Sequence, residues 1–190
     1  MKIKALAAIC KKKKTIVFWD EDGRQFVSDF GAVYPLDGLP RMSKENLLTV
    51  FDVPEKNREK WLIAESLSDA MMINLDDADN TEREIEYAEA HIIYGGYELI
   101  PLYTSAGVVY INAMHLNPLM DVAGQLTMHE RKTKSGQVYI VAKVGLLLQA
   151  VLFPMDIITD HFTDTLTKLR VATQYAYDKK EGVDTDEDNV

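Results

Sequence analysis

Near the N-terminus, the apolar positions change from a helical to an extended spacing. Between Ile3 and Cys10 they recur every three or four residues with lysines beside them, which predicts an amphipathic helix. β-Branched and aromatic residues then run from Thr15 to Trp19, and Gly23 closes an acidic turn typical of a hairpin. The pattern predicts a helix followed by a three-stranded meander, with strands over residues 15–19, 25–28 and 31–36.

The same order of elements returns in the second half of the chain, preceded by one extra strand. The predicted elements are a strand at Val108–Asn112, a short helix from about Met114 to Ala123, and strands at Gln125–Glu130, Val138–Val144 and Leu146–Phe153, with a turn at Lys132–Gly136. The last two strands are almost continuously apolar, which is typical of strands covered on both faces.

The ends of the two meanders also match in sequence. Residues Ala32–Asp37 read AVYPLD, and residues Val151–Asp156 read VLFPMD. An offset of 119 residues separates Pro35 from Pro154, Asp37 from Asp156, and Leu47 from Leu166. A fixed offset of this kind is typical of an internal repeat.

The segments outside the meanders are predicted mainly from caps and turn residues. Ser43 is a helix N-cap ahead of Leu47, Leu48 and Phe51. In the middle segment we expect a helix at Glu55–Ser68 with Trp61, Leu62 and Leu67 facing the core, a loop at Asp76–Thr81, and strands over Ile85–Leu99 around Gly95 and Gly96, with a helix at Glu82–Ala90 as the alternative. A terminal helix begins near Thr159 or Asp160 and carries Phe162, Leu166, Leu169 and Ala176 on one face.

These elements predict an α+β fold built from an internally duplicated helix plus three-stranded antiparallel meander. We expect one domain over residues 1–178, with repeat one at about 1–53, an inserted middle segment at about 54–101, repeat two at about 107–177 and a C-terminal helix. Residues 179–190 are acidic and poor in large apolar groups, so a disordered tail is expected there.

Composition limits the classes of protein to which this chain can belong. The 190 residues carry a formal net charge of −9, which argues against general coating of nucleic acid but leaves a local basic surface open. The single cysteine, Cys10, excludes an internal disulfide framework and fits a reducing compartment as a buried, inert thiol. No signal peptide or membrane-spanning run is evident, so a cytoplasmic location without membrane contact is expected.

The order of strand, short helix and three-stranded meander ending in an apolar-Pro-x-Asp segment resembles one half of a sliding-clamp domain. Residues Gly107–Asp156 cover such a half, and Met1–Asp37 cover another without its leading strand, which the middle segment could supply. The chain also resembles short uncharacterised proteins of bacterial mobile elements and phages. The clamp resemblance implies encirclement or tracking of DNA, with the helices of the two repeats facing the phosphates.

The lysines of the first helix are the sharpest charge feature. Lys4, Lys11, Lys12, Lys13 and Lys14 are candidate contacts to DNA phosphates or to an acidic partner. The alternative is a solvated helix end, since cations at a helix C-terminus favour its dipole. The second basic turn, Arg131–Lys134, is interpreted as an ordinary exposed hairpin.

Other chemistry is weakly indicated, and no catalytic, cofactor-binding or metal-binding residue is assigned. Residues Asp76–Asn80 lack the glycine and glutamate of a calcium loop, so they are interpreted as a solvated acidic loop. The four histidines, His91, His115, His129 and His161, do not have the spacing of a zinc site. No nucleophile elbow, phosphate loop or dinucleotide fingerprint occurs.

The sequence thus favours a non-enzymatic binding or assembly module with a sliding-clamp-like fold, associated with DNA processing of a mobile element. A protein-interaction module without DNA contact is the first alternative, and homo-oligomerisation through the Phe162, Leu166 and Leu169 face is one form of it, although packing of that face on the chain's own sheet is favoured. The second is a small enzyme with a cleft in the middle segment that gathers Glu84, Glu86 and His91.

Overall fold

Most of the predicted strands meet in one mixed sheet. The computed structural model describes residues 1–66, 72–87, 90–157 and 159–181. The chain divides into two compact units, Met1–Met155 and Asp156–Val190. The first unit contains all of the described strands together with the lysine-rich helix.

The described residues of the first unit form three α-helices, two 3₁₀ helices and eleven strands. Its helices are α1 (Ile3–Lys13), α2 (Lys44–Val50) and α3 (Glu55–Arg58), with 3₁₀ helices at Ala113–Leu119 and Ala123–Gln125. Its strands are β1 (Thr15–Glu21), β2 (Arg24–Ser28), β3 (Ala32–Pro35), β4 (Leu62–Ala64), β5 (Arg83–Ile85), β6 (Ile92–Tyr94), β7 (Tyr97–Thr104), β8 (Gly107–Asn112), β9 (Leu126–Lys132), β10 (Val138–Val144) and β11 (Leu147–Leu152). The second unit contains α4 (Asp160–Glu181).

Eight of the described strands form a sheet in the order β4-β1-β2-β3-β11-β10-β9-β5. The two meanders, β1–β3 and β9–β11, lie edge to edge, because β3 pairs antiparallel with β11 at Val33–Val151 and Ala32–Leu152. Strand β4 is parallel to β1, and β5 is antiparallel to β9. A separate antiparallel sheet has the order β6-β7-β8.

The large sheet is covered by apolar side chains on both faces. Neighbouring residues point to opposite sides, as Phe26 and Val27 do in β2, because side chains alternate along a strand. One cluster takes up the apolar faces of α1 and α2 and includes Leu6, Cys10 and Leu47. The other cluster lies under the loop that carries Leu75. Cys10 is buried, as the sequence predicts.

Local signals account for the first hairpin and for the start of α2. Asp22 and Gly23 have φ values of 48° and 79°, the conformation that a tight two-residue hairpin turn requires. Ser43 caps α2 by accepting a hydrogen bond from the Asn46 backbone N–H at 3.2 Å. Both features confirm the predicted turn and cap.

The predicted helix at Glu55–Ser68 is wrong beyond its first turn. The α3 helix ends at Arg58, and the chain then enters β4, where Leu62 to Ala64 pair in parallel with Thr15 to Val17. Pairing with the free edge of β1 outweighs the helical pattern, since tertiary contacts commonly override local propensity. Trp61 is partly buried, Leu62 is exposed, and Leu67 lies outside the described residues.

The helix expected from Met114 to Ala123 is also corrected. It is a 3₁₀ helix from Ala113 to Leu119, followed by a separate 3₁₀ turn. Pro118 lies inside it, lacks an N–H and disfavours α-helical geometry at Asn117. The alternative helix at Glu82–Ala90 is replaced by β5 in its first residues, and residues 88 and 89 lie outside the described part of the chain.

The terminal helix α4 begins at Asp160, as predicted, and continues to Glu181. Residues 179–181, which were expected to begin a disordered tail, belong to this helix, and the rest of the predicted tail, residues 182–190, lies outside the described residues. Of the face predicted on this helix, Phe162 is buried, whereas Leu166 and Leu169 are 49% and 59% exposed. Within the described residues, no helix is long and apolar enough to cross a membrane.

Candidate nucleic-acid or partner interface

The lysine-rich sequence forms the last turn of α1. Lys14 adopts a left-handed conformation with φ of 51°, and its backbone N–H donates to the carbonyl oxygens of Cys10 and Lys11, which ends the helix. Leu6, Ala7, Ile9 and Cys10 are buried, so the lysines remain on the solvent side. Cations in this last turn also favour the helix dipole.

The five candidate lysines fall into two groups. Lys11 pairs with Asp52 at 2.9 Å, and Lys13 pairs with the buried Asp29 at 2.8 Å. Lys4, Lys12 and Lys14 are exposed and form no ion pair with the described residues. Three of the five candidate charges are therefore available to a ligand.

We define the helical face as the exposed surface of α1 and of the 3₁₀ helix Ala113–Leu119. The two elements are joined at one end, where the Lys2 backbone N–H donates to the Pro118 carbonyl at 2.7 Å. On α1, Lys4, Lys11 and Lys12 follow a helical spacing of seven and eight residues and share one side. On the 3₁₀ helix Asn117 is exposed, and so is Met120 at its C-terminal cap. The face is therefore cationic along α1 and uncharged along the 3₁₀ helix.

A buried cluster of charged groups anchors this face to the sheet. Asp29, in the loop between β2 and β3, has a fully buried side chain that accepts hydrogen bonds from the Gly31 and Ala32 backbone N–H groups, both at 2.9 Å. Its other oxygen lies 3.1 Å from His115 Nε2 and 2.8 Å from Lys13 Nζ. The cluster therefore ties α1, the 3₁₀ helix and the β2–β3 loop together.

The protonation of Asp29 reflects two opposed effects. Burial opposes ionisation, but the hydrogen bond and charge of His115, followed by those of Lys13, hold the pKa of Asp29 below its ordinary value of 3.8. The ring of His115 also contacts the backbone closely, because a Cβ placed on Gly31 would lie 2.4 Å from His115 Cε1. Glycine is therefore required at residue 31. No local signal in the sequence links Asp29 to His115, 86 residues away.

The prediction of an ordinary exposed hairpin at Arg131–Lys134 is wrong for Arg131. Arg131 is completely buried, and its five N–H groups donate to Glu82 and to the carbonyl oxygens of Asn74, Asp76 and Asp77. Lys132 and Lys134 are exposed, as expected. Arg131 is therefore a structural anchor for the loop on which those carbonyls lie.

Residues 76, 78 and 80 of the predicted acidic loop are exposed, but the carbonyl oxygens of Asp76 and Asp77 accept hydrogen bonds from the buried side chains of Arg131 and Lys143. Lys143 Nζ donates to the Asp77 carbonyl at 2.8 Å and to Glu82 Oε1 at 2.7 Å. Burial tends to raise the pKa of Glu82, but hydrogen bonds from Lys143 and Arg131 hold it below its ordinary value. The described residues contain no group of three or more His, Cys, Asp or Glu side chains that could hold a metal ion.

None of the main pockets formed by the described residues contains all three residues of the possible enzymatic cleft. Glu84 lies on β5 and Glu86 directly after it, and both are exposed. His91 Nδ1 lies 2.9 Å from Glu98 Oε1, within hydrogen-bond distance, and His91 lines a pocket that contains neither Glu84 nor Glu86.

Comparisons of the chain with protein-family models, with curated proteins and with solved structures found no match.

Proposed function

We propose that the protein is a non-enzymatic binding and assembly module whose helical face contacts the phosphate backbone of DNA. The observation that carries the proposal is a set of three exposed lysines on α1 and its C-terminal cap, Lys4, Lys12 and Lys14, which form no ion pair with any described residue. Free cations on α1 and directly after it, in a chain with net charge −9, favour binding through this region rather than through the whole exterior.

A sliding-clamp-like architecture is part of the proposal, and the pairing of β3 with β11 supports it. Under the 119-residue offset, Ala32 corresponds to Val151 and Val33 corresponds to Leu152. In the structure Val33 pairs with Val151, and Ala32 pairs with Leu152. If each residue of the first pair is replaced by its counterpart in the other repeat, the second pair results. This is the relation that a local two-fold axis between duplicated halves would produce. DNA processing of a mobile element is the setting that the resemblance implies.

The proposed contact has a defined physical signature. Lysines that neutralise phosphates release condensed counterions, so the binding constant falls with salt and depends little on base sequence. The uncharged 3₁₀ helix offers no matching cations, so we expect α1 to supply most of the electrostatic affinity.

Replacing Lys4, Lys12 and Lys14 together by alanine is expected to weaken DNA binding strongly. If all three lysines contact phosphates, the slope of log K against log salt should fall by roughly 0.9 for each lost contact. Fluorescence anisotropy of a labelled duplex, titrated with the protein at several salt concentrations, measures both quantities. The exposed lysines are not part of the core, so we expect the thermal unfolding midpoint to change little.

A matched variant removes the same charge elsewhere. Lys56, Lys132 and Lys134 are exposed and form no ion pair with the described residues, and the alanine variant of all three should keep most of the DNA affinity. Equal losses in the two triple variants would show that total charge, and not the helical face, determines binding. Absence of DNA binding in the unmodified protein would reject the proposal.

The second candidate function is assembly of two copies of this chain through α4. Leu166 and Leu169 are about half exposed, and together with Thr173 and Ala176 they form an uncharged stripe along the helix. An uncharged stripe can pack against its own copy without repulsion between like charges.

Changing Leu166 and Leu169 to serine is expected to convert a dimer into a monomer. Light scattering after size-exclusion chromatography measures the mass directly. The control is Val171→Ser, which removes an exposed apolar side chain from the opposite side of α4 and should leave the mass unchanged. A monomeric unmodified protein would exclude this second candidate.

A further inference from the structure

A pocket of about 460 Å³ lies beside the helical face. It is lined by residues of α1, of the 3₁₀ helix Ala113–Leu119 and of the β6–β7 hairpin. Lys12, one of the three free lysines, is a member of both the pocket and the helical face. The size falls in the range of small-molecule sites, which combine mainly apolar walls with a few polar groups.

Asn112 supplies a buried polar group that the fold leaves unused. Only 3% of the residue is exposed, and its side-chain Oδ1 accepts a hydrogen bond from the Met114 backbone N–H at 3.1 Å, which caps the 3₁₀ helix. No acceptor in the described part of the chain receives a hydrogen bond from its Nδ2 group. Among those residues no sealed side-chain polar atom lacks a partner, so the Nδ2 group has some exposed surface, and Asn112 is one of the residues that line the pocket.

The remaining lining restricts the chemistry of the ligand. Ile100, Leu116 and the flexible side chains of Met114 and Met120 provide apolar surface, and Tyr97 adds an aromatic ring. A complementary ligand is therefore largely apolar on its faces and carries a hydrogen-bond acceptor for Asn112. Lys12 favours an adjacent negative charge, and the carboxylate of Glu98 lies within hydrogen-bond distance of His91.

We infer that this pocket receives an unstacked nucleobase of a single-stranded nucleic acid, while Lys12 contacts the neighbouring phosphate. This inference rests on the proposed DNA-binding function and assigns its substrate class. A nucleobase has apolar faces, offers carbonyl or ring-nitrogen acceptors at its edge and is attached to a phosphate. In a duplex the bases are stacked and paired, so a single strand presents them at much lower cost.

The test compares a labelled oligothymidylate with a duplex of equal length by fluorescence anisotropy at one salt concentration. The unmodified protein should bind the single strand about tenfold more tightly than the duplex. In the variant Asn112→Ser the hydroxyl can still cap the Met114 N–H, but the amide donor is lost. We expect this variant to bind the single strand about tenfold more weakly and the duplex as before.

A second variant and a control complete the design. Ala113→Leu places a larger side chain in the pocket wall and should produce the same selective loss. Asn57→Ser makes the same chemical change in α3, outside the pocket, and should change neither affinity. Circular dichroism and thermal unfolding of each variant show whether the fold is retained.

The outcomes separate the pocket from the helical face. The pocket inference alone would be overturned if the protein bound single strand and duplex with equal affinity. In that case Asn112→Ser and Ala113→Leu would leave both affinities unaltered, while the Lys4, Lys12 and Lys14 variant would reduce them. No affinity for either nucleic acid would overturn both the inference and the proposed function. A selective loss of single-strand binding in both pocket variants would support the assignment.

Discussion

Replacing Arg131 by methionine is expected to lower the free energy of unfolding by about 3–5 kcal/mol, because removal of one partner leaves buried polar groups uncompensated. The guanidinium of Arg131 is completely buried and uses all five of its N–H groups. Methionine would fill much of the same volume but would leave Glu82 and three backbone carbonyl oxygens with fewer donors. Since whole domains are stable by only about 5–15 kcal/mol, the variant should be close to unfolding at moderate temperature.

Urea denaturation followed by circular dichroism measures this change. The neighbouring variant Lys132→Ala removes an exposed cation from the end of the same strand and should shift the free energy of unfolding by less than about 0.5 kcal/mol. Adding Glu82→Gln to Arg131→Met should cost less than the sum of the single changes, because the two groups interact directly. Additive effects would contradict the proposed anchor.

Removing the carboxylate of Asp29 is expected to be similarly costly. Asp29→Ala loses the ion pairs with His115 and Lys13 and the acceptor for the Gly31 and Ala32 N–H groups, so we expect a loss of about 3–5 kcal/mol. Asp29→Asn keeps a carbonyl oxygen for the two N–H groups and should lose less. The difference between these variants, measured by urea denaturation, separates the turn from the ion pairs.

The contribution of Asp29 should depend on pH in a defined direction. Its pKa in the folded protein is held below the ordinary value of 3.8, so the folded state favours the ionised carboxylate. The resulting stabilisation is present above about pH 4 and is lost as the pH falls below that value toward the folded pKa. The stability difference between the unmodified protein and Asp29→Asn should therefore shrink on acidification. A difference that grows at acidic pH would contradict the assigned ion pair.

The elements that were predicted correctly are those whose signals are local. The helical spacing from Ile3 to Cys10, the Asp22–Gly23 turn and the Ser43 cap each involve neighbouring residues, and each has the expected structure. The apolar runs of β10 and β11 also match, because strands covered on both faces need continuous apolar sequence. Mixed α+β architecture followed directly from these elements.

The elements that were missed depend on partners far away in the chain. The segment from Leu62 to Ala64 becomes a strand only because the edge of β1 is free to pair with it. Arg131 looks like part of an exposed basic turn until the 74–82 loop folds over it. The exception is Pro118, whose effect on the 3₁₀ helix is local and could have been recognised from the sequence.

The sequence predicted which residues form the candidate interface, but not which of them are free of ion pairs. The sequence identified all five lysines of α1 and its cap, yet it could not show that Asp52 and Asp29 engage Lys11 and Lys13. Asn112 carried no signal, because its free amide is apparent only once Oδ1 is seen to cap Met114. Pairing and burial therefore reduce a run of lysines to the three free charges that the proposal uses.

Amide hydrogen exchange of the intact protein, with and without saturating DNA, tests the central claim most directly. We predict slower exchange in α1 and in the 3₁₀ helix Ala113–Leu119, with little change in the β9–β10 hairpin on which Lys132 and Lys134 lie. Protection centred on that hairpin, or unchanged exchange along α1, would contradict binding of DNA by the helical face.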